Sequence, residues 1–291
     1  MKTFFEEKLN TSAFLGTLAL ISATSFLLVG CDKTTERIDA KTTEQPQKKP
    51  VSKIVIKVDE TTGTISDNKR IIYLTFDDGP NRGTENLLKI LHKRNVVATT
   101  FVVGKHVNGS AKQKKDFADL QKDSLMEIAN HSFSHADNHY SEFYKNPEKV
   151  VEDFDSAQVI LGLNNKIART PGRNIWRLNN INVTDISASK LAANQLQIAG
   201  YKLVGWDLEW RPTAKMSLKG NHQQMMKKVD SIFLNDLEKT SRHLVFLTHD
   251  QYLTDDESLA ELDEFINVLQ KSNRFEFRKI SEYPKINEIL N

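Results

Sequence analysis

The sequence predicts an α/β fold, a parallel sheet covered by helices and arranged either as a barrel or as a doubly wound sheet. Three observations carry that expectation. β-rich runs alternate with amphipathic helical runs along most of the 291 residues. Hydrophobic residues at 39% and charged residues at 27% suit an ordinary globular body. Reactive side chains fall at the C-terminal ends of the β-rich runs, the edge on which α/β barrels build their sites.

The first thirty residues stand apart. SAFLGTLALISATSFLLVGC (12–31) is apolar, rich in small residues, and ends at Cys31, the only cysteine. Its length is near the roughly 20 residues of a spanning helix, and it also fits a secretory signal. Leu28-Val29-Gly30-Cys31 looks like a bacterial lipobox, cleaved before a cysteine that receives lipid. A single cysteine has no internal disulfide partner, and lipidation gives it a use. The alternative is an uncleaved membrane anchor. Either way the rest of the chain is expected to be exported and membrane-tethered in the cell envelope, on the periplasmic side if the cell is Gram-negative. Residues 1–30 are read as a lipoprotein signal peptide. Residues 31–52, with almost nothing to bury, are read as a flexible polar tether from Cys31, and residues 53–291 as the catalytic domain.

Within that domain, IVIKV (54–58) and IIYLTF (71–76) read as strands separated by turn chemistry. ENLLKILHKR (85–94) has one apolar helical face. VVATTFVVG (96–104) is strand-like, AKQKKDFADLQKD (111–123) a surface helix, and LMEIANH (125–131) a short strand. PEKVVEDFDSAQVILG (147–162) is a helix with proline at its start. KIART (166–170), KLVGW (202–206), HLVFLTH (243–249) and FEFRKI (275–280) are further strands. ASKLAANQLQIAG (188–200), HQQMMKKVDSIFLNDLEK (222–239) and ESLAELDEFINVLQK (257–271) are the remaining helices. A net charge of +2 gives no sign of the concentrated basic face of a nucleic-acid binder.

The chemistry sits at strand ends. TFDDGP (75–80) puts Asp77 and Asp78 side by side after an apolar run. Metal-assisted hydrolysis needs one carboxylate as ligand and often a second as general base. Alternate strand residues face opposite ways, so Gly79-Pro80 is expected to turn the chain and let both address one pocket. HSFSH (131–135) sets His131 and His135 four apart, able to share a helix face or to converge from a loop on a metal. His139 is a further candidate, ranked below that pair. Arg169 in ARTPGR supplies a guanidinium able to orient a buried carboxylate. His249 in FLTHD is a candidate general acid, with Asp207 or Glu209 of GWDLEW as its partner. Trp206 and Trp210 could wall a sugar-sized groove.

In order along the chain, TFDDGP, HSFSH, RTPG, GWDLEW and LTH resemble the five motifs of the polysaccharide deacetylases (the NodB-homology domain, carbohydrate esterase family four), over residues 71 to 283. The resemblance implies a distorted (β/α) barrel and metal-dependent removal of N-acetyl groups from an N-acetylated sugar polymer, peptidoglycan or an exported polysaccharide. It makes Asp77 the general base, and Asp78, His131 and His135 the ligands of a divalent metal, usually zinc. Arg169 would position Asp77, His249 would be the acid with Glu209 favoured as its partner, and a backbone N–H near Gly172 would face the oxyanion. Two departures from the family pattern stand out: glycine at 172, where many members have an aromatic residue, and a compact fourth motif. The rival readings are an O-acetyl esterase, acting for example on acetylated xylan, and an inactive glycan-binding lipoprotein.

Overall fold

The computed structural model describes residues 69–288 except residue 179. The lipobox at Cys31, the tether of residues 32–52 and the strand expected over 54–58 lie outside the described residues. The first strand, β1 (Arg70–Gly79), is ten residues long and buried along nearly its whole length, which two-sided coverage requires. After it come α1 (Thr84–Arg94), β2 (Ala98–Val102), α2 (Ala111–Lys122), β3 (Met126–Asn130), the short α3 (Tyr140–Phe143) and α4 (Pro147–Leu161). The second half holds β4 (Ile167–Ala168), β5 (Ile175–Leu178), β6 (Ile181–Thr184), α5 (Lys190–Ile198), β7 (Lys202–Leu203) and β8 (Leu208–Glu209). It ends with α6 (His222–Leu234), β9 (His243–His249), α7 (Asp256–Lys271) and β10 (Phe275–Phe277).

These strands form one sheet in the order β6-β5-β7-β4-β3-β2-β1-β9-β8, with β10 beside the start of β1. All pairings between named strands are parallel except those of β5 with β6 and with β7. The fold is a distorted (β/α) barrel whose ladder stays open between β6 and β8. The two faces of β1 show the layers. Ile72, Leu74 and Phe76 join Leu87, Leu91, Phe265 and Ile266 under the helices, while Ile71 and Tyr73 join Phe101, Trp176, Val204 and Val245 inside the curl of the sheet. Each large apolar side chain buried this way contributes roughly 1.5–3 kcal/mol. The inner row of β1 continues as Thr75 and Asp77, so the barrel interior turns polar at the end where the strands stop.

Helix ends follow local chemistry. Asn146 caps α4 ahead of Pro147, Gly162 closes it in the left-handed region, and Asn221 with Gln224 makes a capping box on α6. Helix α6 stops at Leu234, five residues short of the expected 239, and Asp236 just beyond is left-handed (φ 49°). The strands expected over 166–170, 202–206 and 275–280 shrink to two or three residues; in the first two, the irregular ends carry Arg169 and Trp206 to the site, and the third gives way to a helical turn at Ile280–Glu282.

Candidate active site

Asp77 and Asp78 reach one pocket by a device other than the turn at Gly79-Pro80. Asp77 follows the inward row of β1. Asp78 would face the helices, but it adopts φ 72° and the register with β2 slips between Asp77 and Gly79. This bulge rotates Asp78 back toward the strand ends. A non-glycine residue in that region costs on the order of 1–3 kcal/mol, a strain typical of functional segments.

His131 and His135 converge from a loop rather than from a helix. His131 directly follows β3, and its Nδ1 lies 2.8 Å from the carbonyl of Arg169. A carbonyl only accepts, so the Nδ1 proton is fixed there and Nε2 is left to face the two aspartates. Beyond it, Ser132, His135, Ala136, Asp137 and Asn138 all have positive φ. The Asp153 carboxylate of α4 holds this unusual path by accepting the N–H groups of Phe133 and Ser134. The result places Asp78 Oδ1 at 3.0 Å from His135 Nε2 and 3.4 Å from His131 Nε2. One ligand atom from each of the three residues lies within 4.8 Å of the others. His139 is exposed and stands outside this cluster.

The donor set fits a divalent cation. Asp78 Oδ1 is buried and faces the Nε2 atoms of His131 and His135, while Oδ2 accepts from Gln251 Nε2 at 3.0 Å. Lone pairs from a carboxylate and two imidazoles directed at one point need positive charge between them. Burial alone would raise the Asp78 carboxyl, but hydrogen bonds from His131 and His135 and the charge of His249 hold it well below the usual carboxylate range. Burial likewise opposes charge on His131, yet Asp77 and Asp78 outweigh it and push its pKa up. Such protons are what a metal ion displaces on binding.

Arg169 is completely buried and orients Asp77, donating from Nη1 to Asp77 Oδ1 at 2.8 Å. The other carboxylate oxygen, Oδ2, stays 3.6 Å from His131 Nε2. His249 stands level with Asp77 on the neighbouring β9, with Nε2 3.7 Å from Asp78 Oδ2. Its expected acidic partner is not there. Glu209 lines the same cavity but its carboxylate meets Arg211 Nε at 3.0 Å. Asp207 is spent on backbone, accepting the N–H groups of Lys239 and Val245, and burial pushes its pKa to about 6. Neither acid pairs with His249; Nδ1 of that histidine is buried without a partner, and the Tyr252 ring lies 4.9 Å away.

Asp77, Asp78, His131, His135, Gly172, Trp206, Glu209 and His249 line a cavity of about 530 Å³, together with Tyr140, Asp185, Gln251 and Tyr252. Trp206 is therefore a wall of the site. Trp210 is not: its ring is buried against Phe246 and Phe265, and its Nε1 donates to the Lys219 carbonyl. Leu208 of β8 and Trp210 just after it share the core side, Glu209 between them turns to the cavity, and Trp206 reaches the cavity from the segment before the strand. Gly172 adopts φ 62° and its N–H meets no acceptor among the described residues. The Tyr140 ring lies 3.0 Å from where a Cβ at 172 would be. Tyr140, His106 and Asp153 gave no signal in the sequence, whereas Gln251 and Tyr252 follow His249 directly and could have been read with it.

A family model described as polysaccharide deacetylase matches residues 64–177. Over that stretch the chain is similar to the polysaccharide deacetylases. The deacetylase match spans Asp77, Asp78, His131, His135, Arg169 and Gly172, and ends before Trp206, Glu209 and His249. A peptidoglycan-N-acetylglucosamine deacetylase of Bacillus cereus is 31% identical over 152 residues, 49% of this chain and 48% of that protein. A peptidoglycan-N-acetylmuramic acid deacetylase of Bacillus subtilis is 26% identical over 168 residues, 55% of this chain and 56% of that protein. The chain thus spans about half the length of these relatives. Among solved structures, the catalytic domain of a peptidoglycan N-acetylglucosamine deacetylase from Eubacterium rectale shares the fold, with a TM-score of 0.54 and 23% identity over 80% of this chain and 98% of that one.

Proposed function

We propose that this chain is a metal-dependent hydrolase that removes N-acetyl groups from an N-acetylated sugar polymer of the cell envelope. The observation that carries the reading is the placement of an arginine-held carboxylate, Asp77, 3.6 Å from a histidine of the Asp78-His131-His135 cluster. One carboxylate and two imidazoles suit zinc. When bound, the ion supplies Lewis acidity for the acetyl carbonyl and favours ionisation of water.

The chain's own groups divide the remaining work. Arg169 occupies Asp77 Oδ1, so Oδ2 is the oxygen left to take a proton from the attacking water. The unpaired N–H of Gly172 is available to the developing oxyanion. His249, across the ladder from Asp77, protonates the departing amine. Trp206 and Tyr140 offer ring faces to a sugar. The two Bacillus relatives are named for peptidoglycan sugars, which supports an N-acetylated glycan as substrate.

The test is acetate release from N-acetylglucosamine oligomers, peptidoglycan and acetylated xylan, with and without added zinc. Zinc-dependent acetate from an N-acetylated substrate is expected. Release from xylan alone would transfer the activity to O-acetyl esters, and release from none would leave a glycan-binding protein.

A further inference from the structure

The segment carrying Asp78 is held one residue at a time. The Asp78 carbonyl accepts from His106 Nδ1 at 2.8 Å, and the Gly79 carbonyl accepts from the Val103 N–H at 3.0 Å. The Pro80 carbonyl accepts from Gln113 Nε2 at 3.0 Å, and the Asn81 N–H donates to Asp250 Oδ2 at 3.1 Å. Of these four contacts, only that of His106 acts on the residue that is itself forced into the left-handed region.

His106 lies in a single helical turn, Gly104–Asn108, directly after β2. Since its Nδ1 faces a carbonyl, Nδ1 carries the proton and is committed to that bond. The ring is not a ligand of the Asp78-His131-His135 cluster, whose three donor atoms lie within 4.8 Å of one another without it. Its effect on the cluster passes through the peptide after Asp78. Holding that carbonyl fixes ψ at Asp78, and with φ at 72° this sets the direction of the carboxylate. Gln251 then takes Oδ2, which leaves Oδ1 toward the two histidines.

We propose that His106 is a positioning residue for Asp78: its Nδ1–H locks the strained peptide so that the carboxylate meets His131 and His135 already oriented. The inference rests on the metal-site reading of those three residues. Groups that orient metal ligands typically change metal affinity or activity by about 10–100-fold when removed.

The experiment compares the full chain with His106→Ala and His106→Asn. Asparagine places a carboxamide N–H close to where the imidazole Nδ1–H stands. Two quantities are read: the zinc dissociation constant of chelator-stripped protein, and hydrogen–deuterium exchange of the peptide covering 77–81 without metal. His106→Ala is expected to weaken zinc by about 10–100-fold and to speed exchange at 77–81 while the rest of the sheet exchanges as before. His106→Asn should recover most of both. Wild-type zinc affinity with unchanged exchange in His106→Ala would overturn the proposal, as would an asparagine variant no better than alanine. Should the wild-type chain take up no zinc, the metal reading falls, and exchange at 77–81 alone decides whether His106 holds the loop.

Discussion

Replacing Arg169 should damage the protein far more than neutralising its partner, although the two form one ion pair. Arg169 is fully buried and donates at four places: to Thr75 Oγ1 and Asp77 Oδ1 from Nη1, to the Gly205 carbonyl from Nη2, and to the Val204 carbonyl from Nε. Arg169→Leu leaves Asp77 as a buried charge without its counter-ion, a loss of about 3–5 kcal/mol. The Val204 and Gly205 carbonyls also lose their donors, so that figure is a lower bound. Asp77→Asn keeps an acceptor oxygen for Nη1 and leaves the other three bonds intact. Only the charge assistance goes, which is worth about 1–2 kcal/mol. For a body of this size, 1 kcal/mol moves Tm by roughly 2–4 °C. Thermal unfolding of metal-free protein at pH 7 should therefore show Arg169→Leu lower by about 6–20 °C and Asp77→Asn by about 2–8 °C. Equal shifts, or an Arg169→Leu variant within 2 °C of wild type (a ~1 kcal/mol change at most), would refute the view that arginine is the structural anchor of the pair.

Three further outcomes are expected. His249→Ala should retain metal and fold while turnover on an N-acetylated sugar falls by roughly 10²–10⁴-fold; near-normal turnover would remove it as the acid. Asp250 is buried and its pKa is pushed from 3.8 to about 7 by burial, so the native state holds its proton more tightly than the unfolded chain does. Its contribution is fully present below about pH 4 and is lost as pH rises toward 7, on the order of 4 kcal/mol. Asp250→Asn keeps the oxygen that accepts from Asn81 and Thr84, so urea unfolding should find it more stable than wild type at pH 8 and little different at pH 4; a gain independent of pH would contradict the linkage. Finally, mass spectrometry of the exported protein should find Cys31 lipidated at the mature N-terminus, and an intact Met1 would replace the lipoprotein reading with an uncleaved anchor.

The strands and helices with a clean period were legible in the sequence: β1, β9, α1, α4 and α7 need only their apolar pattern. The hairpin of β5 and β6 was not. All four residues of β5 are buried, and one of them is Arg177, whose guanidinium reaches the Trp176 and Val183 carbonyls and Thr184. A buried arginine breaks the hydrophobic pattern that marks a strand. At the site, residue identity was readable because metal and proton chemistry restrict it to Asp, His and Arg. Side-chain direction was not, because it depends on backbone outliers. Asp78 turns by a left-handed bulge, and His135 sits in a run of positive φ values with no glycine to announce it. Trp210 packs into the core beside Leu208 of the two-residue β8, while Glu209 reaches the cavity but its carboxylate meets Arg211 instead of His249. His106, Tyr140 and Asp153 act from other elements, at distances in sequence that no local motif spans.

The adjacent aspartates provide the most direct test of the account. Asp78→Ala removes the one carboxylate from the Asp78-His131-His135 cluster, and Asp77→Asn removes only the capacity to take a proton. Zinc content and acetate release from an N-acetylglucosamine oligomer should be measured on both variants and on wild type. The account predicts that Asp77→Asn keeps near-stoichiometric zinc with turnover down by roughly 10²–10⁴-fold, while Asp78→Ala loses zinc affinity by at least about 10–100-fold. An Asp77→Asn protein that loses its metal, beside an Asp78→Ala protein that keeps it, would reverse the two roles. Full activity in both would remove the active site from this end of the barrel.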